Sequence, residues 1–181
     1  PIAPPDEPTD PRGLGAELSG TPMTREAWML AAVELFRPEF ADAEAPVGEV
    51  RVSIGWPGGR GSAKAVGQCW MPESVEDGLP AIFVSPVQHE PVEILETILH
   101  EMVHASGRRD HNAAFGKIAR YVGLTPPWRK HDMTAELRAK LAPIAEKLGP
   151  FPHAKIKTGV DRLGAGRKVQ GRMQEKNTET V

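Results

Sequence analysis

Residues 91–106, PVEILETILHEMVHAS, contain an HExxH pattern that begins at His100. On a helix, residues four positions apart lie on one face, so His100 and His104 can present two imidazole nitrogens to one metal ion. Glu101 lies beside the first of them, close enough to act on a metal-bound water molecule. Two imidazole ligands with an adjacent carboxylate base are typical of a zinc hydrolase.

The same stretch has the apolar periodicity of an amphipathic helix. Both histidines fall in the middle of its polar arc, so we expect the apolar side to pack on a core and the histidines to face a cleft or solvent. The alternative is an ordinary solvated face that carries two histidines by chance. The apolar side consists of Val92, Ile94, Leu95, Ile98, Leu99, Met102, Val103 and Ala105.

The flanking segments predict a small sheet and further helices, which together give an α+β fold. This fold has an N-terminal helix, a small three-stranded sheet, the HExxH helix and two following helices. Pro38 is expected to end the first helix, and Pro143 to kink or break the last one. Strands are predicted at 49–56, 64–71 and 81–85, and the helices after the HExxH stretch at 111–122 and 132–148.

The length of 181 residues and the 40% hydrophobic content suit one domain with tails. We predict a disordered leader at 1–20, a folded domain at 21–150 and a basic, mostly disordered tail at 151–181. No apolar run reaches the roughly 18 residues needed to span a membrane. Cys69 is the only cysteine, which excludes an intramolecular disulfide and an all-cysteine zinc site and fits a reducing cytoplasm.

The net charge of −2 hides an asymmetry along the chain. Acidic residues outnumber basic ones before Asn112, and the opposite holds from Asn112 onward. A basic half can bind DNA through its phosphates. The equally weighted alternative is a solvated helix face followed by a basic tail.

A catalytic zinc ion usually has three protein ligands and one open position, so a third ligand is needed. His111 is the best candidate, because it begins a predicted helix after a tight loop and lies on the inward face of that helix. Asp110 is the competitor, because it occupies the last place of an HExxHxxGxx spacing. A glutamate from a later helix would have to be Glu136 or Glu146, and water is the remaining alternative.

The segment IFVSP…PVEILETILHEMVHASGRRDHNAAFGKIARYVGL resembles the SprT-like metallopeptidases, the family that includes Spartan and many bacterial and phage proteins. The resemblance covers about residues 47–124. It depends on a short strand that ends in Ser-Pro, on the HExxH helix, and on a histidine followed four residues later by phenylalanine. It implies a zincin-like minimal metalloprotease fold, with the downstream His111 as the third zinc ligand.

Two features depart from that family. Its downstream motif usually reads His-Gly-x-x-Phe, and Asn112 replaces the glycine here. Many members also carry a cysteine-rich zinc ribbon, which a chain with Cys69 alone cannot form. Any DNA binding that relatives owe to that ribbon would have to come from the basic C-terminal half.

The implied activity is zinc-dependent hydrolysis of peptide bonds in protein or peptide substrates, with Glu101 as the general base on a zinc-bound water. The substrate could be protein attached to DNA or bound near it. The alternative is a non-catalytic, zinc-stabilised module that binds DNA or protein. Glu101 favours the enzyme, because a purely structural site needs no base. A peptidase that cleaves one specific repressor is a weaker third interpretation.

Overall fold

A computed structural model describes residues 23–56, 65–128 and 133–157. Within these ranges the chain forms four α-helices and a three-stranded mixed sheet, which confirms the predicted α+β class. The predicted leader and residues 158–181 of the predicted tail lie outside the described ranges. The elements are α1 (Arg25–Asp42), β1 (Arg51–Ile54), β2 (Gly67–Trp70), β3 (Ala81–Val84), α2 (Pro91–Ala105), α3 (Ala113–Tyr121) and α4 (Ala135–Leu148).

The sheet has β3 at its centre, parallel to β1 on one side and antiparallel to β2 on the other. Ile82 is the register partner of both Val52 and Cys69. Because side chains alternate along a strand, Gly67 shares the sheet face of Cys69. Val52 and Ile82 belong to the hydrophobic core, so this face of the sheet packs on the helices.

Helix α2 lies at the centre of the fold and contacts α1, α3, α4, β2 and β3. Its residues 94–103 are all buried, including Glu96, Thr97 and Glu101 on the polar arc. The prediction of a cleft or solvent concerned the two histidines, of which His100 is 8% exposed and His104 is half-buried. The three other polar side chains of the arc are shielded from solvent. The reason is that β2 covers part of the arc, since Gly67 lies against both Thr97 and Glu101.

Two prolines that were predicted to end or break helices lie inside them. Helix α1 continues through Pro38, and α4 continues through Pro143. Phe36 and Phe40 flank Pro38 and are fully buried, as is Leu141 beside the second proline. Packing of these side chains outweighs the hydrogen bond that each proline removes from its helix.

Within residues 151–157, which the sequence assigned to the tail, Phe151, His153 and Ile156 contact the domain. Phe151 is 6% exposed, and its ring meets that of Trp28 edge to face at 5.1 Å. The Ile156 amide donates a hydrogen bond to the Pro86 carbonyl at 2.8 Å. This segment therefore joins the start of α1 to the chain that enters α2. None of the helices described combines the length and apolar composition needed to cross a membrane, and the cytoplasmic location stays a prediction.

Candidate metal centre

Two of the three candidate ligands lie one turn apart on α2. The ring centroids of His100 and His104 are 5.2 Å apart. The chain leaves the helix after Ala105 and reverses at Gly107, whose φ of +91° is the left-handed conformation that glycine adopts without strain. This reversal returns the backbone to the last turn of α2, where Arg108 lies against His104.

His111 approaches the same point from the start of α3. Asn112 caps that helix, and its side-chain oxygen accepts hydrogen bonds from the amides of Ala114 and Phe115 at 3.0 and 3.2 Å. His111 therefore precedes the cap, and the prediction that it begins the helix is wrong by two residues. Its Nε2 atom lies 3.0 Å from Nε2 of His100. The cap fixes the direction of α3 and brings this imidazole to α2.

The predicted ligand set converges in space. One ligand atom from each of His100, His104 and His111 lies within 4.8 Å of the other two. No other group of three or more potential ligands occurs among the residues that the structure describes. The predicted triad is therefore a cluster that could hold a metal ion.

A backbone carbonyl fixes the tautomer of His104. Nδ1 of His104 lies 2.6 Å from the carbonyl oxygen of Arg108, and because a carbonyl can only accept, Nδ1 carries the proton. The lone pair of the neutral ring is then on Nε2, where a metal can bind it. Metal-binding histidines commonly have this arrangement, which orients the ring and selects the coordinating nitrogen.

Burial also favours the neutral form of His104. It lowers the pKa of this imidazole, although the hydrogen bond to Arg108 and the negative charge of Asp110 act in the opposite direction. Metal ions bind neutral imidazole, so a lowered pKa reduces competition from protons. The environment of His104 therefore suits a metal ligand.

One aromatic side chain packs against all three imidazoles. The ring centroid of Phe115 lies 5.1 Å from that of His100, 4.8 Å from that of His104 and 4.7 Å from that of His111. Phe115 is fully buried, and Trp128 packs on it at 5.9 Å. This ring limits the orientations of the imidazoles, so less conformational entropy remains to be lost when a ligand binds.

Glu101 is buried beside the cluster. Its side chain is 4% exposed. Burial raises the pKa of the carboxyl to about 8, because the charged form loses its hydration. A nearby cation has the opposite effect and favours the carboxylate. A cation held by the histidines would therefore favour the carboxylate form of Glu101.

The competing third ligands lie outside the histidine cluster as the structure describes it. Asp110 is one residue from His111 but is not a member of the cluster, and its charge acts on the pKa of His104. Glu136 is in the first turn of α4. Glu146 lines a separate surface cavity together with Glu90. The described geometry thus favours His111.

The residues present fit zinc. Imidazole nitrogens are common zinc ligands, and two ligands of a tetrahedral zinc ion at its usual Zn–N distance lie about 3.4 Å apart. The Nε2 atoms of His100 and His111 are 3.0 Å apart, close to that separation. Three histidines leave one position open in a tetrahedral site, as catalytic zinc requires.

Other features of the site were not evident from the sequence. The Thr97 hydroxyl, on the buried part of α2, accepts a hydrogen bond from Gln88 Nε2 at 3.0 Å. The contact of Phe115 with all three rings requires the tertiary arrangement of α2 and α3. Gly67 is a glycine in a strand, a pattern that often marks close approach of another backbone or side chain.

No protein-family model, curated protein or solved structure matches the chain. The residues of the cluster and their surroundings therefore provide the basis for a functional assignment.

Proposed function

We propose that this protein is a zinc-dependent metalloendopeptidase. One observation carries the proposal: three imidazoles converge within 4.8 Å, and the residue that follows the first of them is a buried glutamate. A metal site alone explains the histidines but not Glu101. Burial of an ionised carboxylate is unfavourable, so a catalytic role gives a reason for its presence.

Each side chain has a role in the proposed hydrolysis. His100, His104 and His111 would hold zinc, which when bound supplies a Lewis acid and lowers the pKa of its water. Glu101 takes a proton from the attacking water and delivers it to the leaving amine. The carbonyl of Arg108 keeps the ring of His104 in the tautomer that leaves Nε2 free. Phe115 holds the three rings in place.

We assign the domain to the zincin-like fold and the SprT-like family as part of the same proposal. The order of elements supports it, since one helix and a small sheet precede the HExxH helix and two helices follow it. The resemblance of residues 47–124 points to the same family. The spacing of four positions between His111 and Phe115 has a structural basis here, because the ring centroids of the histidine and the phenylalanine lie 4.7 Å apart.

Proteins associated with DNA are the proposed substrate class. The basic residues after Asn112 provide the support, since clustered lysines and arginines can bind phosphates. In the described part of that half, the basic side chains include Lys117, Arg120, Arg138, Lys147, Lys155 and Lys157. DNA held by such residues would raise the local concentration of a protein bound to the same DNA.

A non-catalytic, zinc-stabilised binding module is the second candidate. The observation that favours it is the enclosure of the cluster, since His100 is 8% exposed and Phe115 is fully buried. A peptide substrate has to reach a catalytic zinc ion, whereas a structural zinc ion needs no access from solvent. The two candidates differ in whether Glu101 is required for a chemical reaction, and one experiment can distinguish them.

The test is cleavage of a basic, loosely folded protein by zinc-loaded enzyme, with and without single-stranded DNA. The Glu101→Gln variant is the matched control, because it keeps the shape of the side chain and removes the base. Cleavage that requires Glu101 supports the peptidase, and stimulation by DNA supports the substrate class. Full zinc occupancy without cleavage of this protein or of a peptide library would favour the binding module.

A further inference from the structure

Gly67, the first residue of β2, lies against the side chain of the proposed base. A methyl group built on its Cα would come within 2.6 Å of the Glu101 Oε1 atom and 3.1 Å of the Glu101 Cγ atom. It would also come within 2.5 Å of the Thr97 Cγ2 atom. Real Cβ atoms do not approach other atoms to 2.5 or 2.6 Å, and a distance of 3.1 Å is also tighter than most. The space that Glu101 occupies therefore exists because residue 67 has no side chain.

The backbone at Gly67 does not itself require glycine. The glycines with a positive φ among the described residues are Gly78, Gly107, Gly123 and Gly149. An alanine at position 67 would therefore fit the strand conformation and would conflict only with the side chains of α2. Because a substitution at Gly67 affects the side-chain contact and not the backbone conformation, it selectively tests the contact between β2 and Glu101.

Thr97, one of the two neighbours of Gly67, has little freedom to move away. The Thr97 hydroxyl accepts a hydrogen bond from Gln88 Nε2 at 3.0 Å and lies 3.0 Å from the Glu93 carbonyl oxygen, to which it can donate. These bonds hold its methyl group against β2. The strand is paired with β3, with Gly67 in register with Val84. A methyl group at residue 67 would therefore displace the Glu101 carboxylate, which is the terminal and most mobile part of the contact.

The Glu101 carboxylate also acts on Cys69. This cysteine is the next residue of β2 on the same face, and its pKa is raised to about 12, first by burial and then by the negative charge of Glu101. The Glu101 side chain thus lies along the strand, near both Gly67 and Cys69.

We propose that Gly67 is a positioning residue for Glu101. Because this residue of β2 has no side chain, β2 sets the distance between the base and the histidines that hold the metal. The inference rests on the proposed peptidase function. It predicts that the strand, and not the helix alone, determines how effectively Glu101 transfers protons. A displacement of about 1 Å in a reacting group can reduce the rate roughly 100-fold.

The test compares Gly67→Ala with Gly55→Ala. Gly55 follows β1 at the same end of the sheet, and a methyl group there would meet no atom within 4 Å. We expect Gly67→Ala to lower kcat about 100-fold, with KM and zinc affinity changed by less than about twofold, and Gly55→Ala to match the wild type. If Gly67→Ala does not fold, Gly67→Ala/Thr97→Ser replaces it, because the serine lacks the nearest methyl group.

A second measurement needs no catalysis. Melting temperatures are compared for four proteins that all carry Thr97→Ser. One has no further change, one adds Gly67→Ala, one adds Glu101→Ala, and one adds both. The added methyl group should lower the melting temperature by roughly 3–10 °C when Glu101 is present. It should have much less effect when the glutamate side chain has been removed.

The outcomes separate this inference from the proposed function. Wild-type activity that survives in Gly67→Ala, or activity lost together with zinc, would overturn the positioning role. Equal effects of Gly67→Ala with and without Glu101 in the melting experiment would overturn the contact itself. A wild-type protein with no peptidase activity would instead overturn the proposed function, and the melting experiment would then decide whether Gly67 positions Glu101.

Discussion

Nε2 of His100 lies 3.0 Å from Nε2 of His111, although the two residues are 11 positions apart and belong to different elements. At this separation one of the two nitrogens must carry a proton in the metal-free protein, because two lone pairs would repel each other. A metal ion that binds both nitrogens replaces that proton, so metal binding and proton release are coupled. The contact depends on the turn at Gly107 and on the Asn112 cap.

His111→Ala should weaken zinc binding more than the roughly 10–100-fold that loss of an outer-sphere partner of a metal ligand usually costs. The physical reason is the loss of one of three protein ligands. The measurement is competition with a chromophoric chelator, and Asp110→Ala is the matched control because it changes the neighbouring residue. A larger loss of affinity in Asp110→Ala than in His111→Ala would instead assign the third ligand to the aspartate.

Glu101→Gln should retain zinc and lose about 10²–10⁴-fold in turnover, the range that general acid–base catalysis usually contributes. Glutamine has nearly the same shape as glutamate but cannot accept a proton at neutral pH. Zinc content by elemental analysis and kcat on a protein substrate are measured on the same preparation. Turnover equal to that of the wild type would show that Glu101 is not the base.

The metal-free protein should lose stability as the pH rises from about 4.5 to about 8. The pKa of Glu101 is raised to about 8 in the folded chain by burial, so the folded state binds a proton that the unfolded state releases over this interval. The free energy of unfolding then falls by at most about 1.4 kcal/mol per pH unit. The stabilisation that comes from protonated Glu101 is complete below the pKa of this group in the unfolded chain. It is lost above the pKa of Glu101 in the folded chain.

Urea unfolding in the presence of a chelator at several pH values measures this slope. The informative quantity is the difference between the wild type and Glu101→Gln, because the other titratable groups are common to both proteins. Parallel stability curves for the two proteins between pH 5 and 8 would contradict a raised pKa at Glu101.

Local patterns were enough to predict α2, its two histidines and the approximate positions of the strands, because periodicity and the HExxH spacing are properties of short segments. The continuation of α1 through Pro38 was not predictable in this way, since burial of Phe36 and Phe40 stabilises it. The burial of Glu101 also needed the fold. Its cause is the approach of β2 at Gly67, which lies more than 30 residues earlier in the chain.

Phe115→Ala should reduce both stability and zinc affinity. Removing a fully buried phenylalanine costs about 3–5 kcal/mol in unfolding free energy. It also frees the three imidazoles that its ring contacts. Phe40→Ala is the control, because Phe40 is equally buried on α1. Both variants should unfold more easily, but only Phe115→Ala should bind zinc more weakly under conditions where both are folded.

Cys69 should react slowly with iodoacetamide in the native protein. Its pKa of about 12 leaves very little thiolate at pH 8, since burial and then the charge of Glu101 disfavour the anion. Relative to an ordinary thiol with a pKa of about 8.5, the thiolate fraction falls roughly 1,000-fold, and alkylation should slow by a similar factor.

The rate of alkylation in urea gives the reference for the unfolded protein. Because Glu101→Gln removes the negative charge but leaves the burial, its Cys69 should react faster than that of the wild type yet far more slowly than in urea. Equal rates in native and unfolded protein would contradict the packing of β2 against α2, and with it the contact that encloses Glu101.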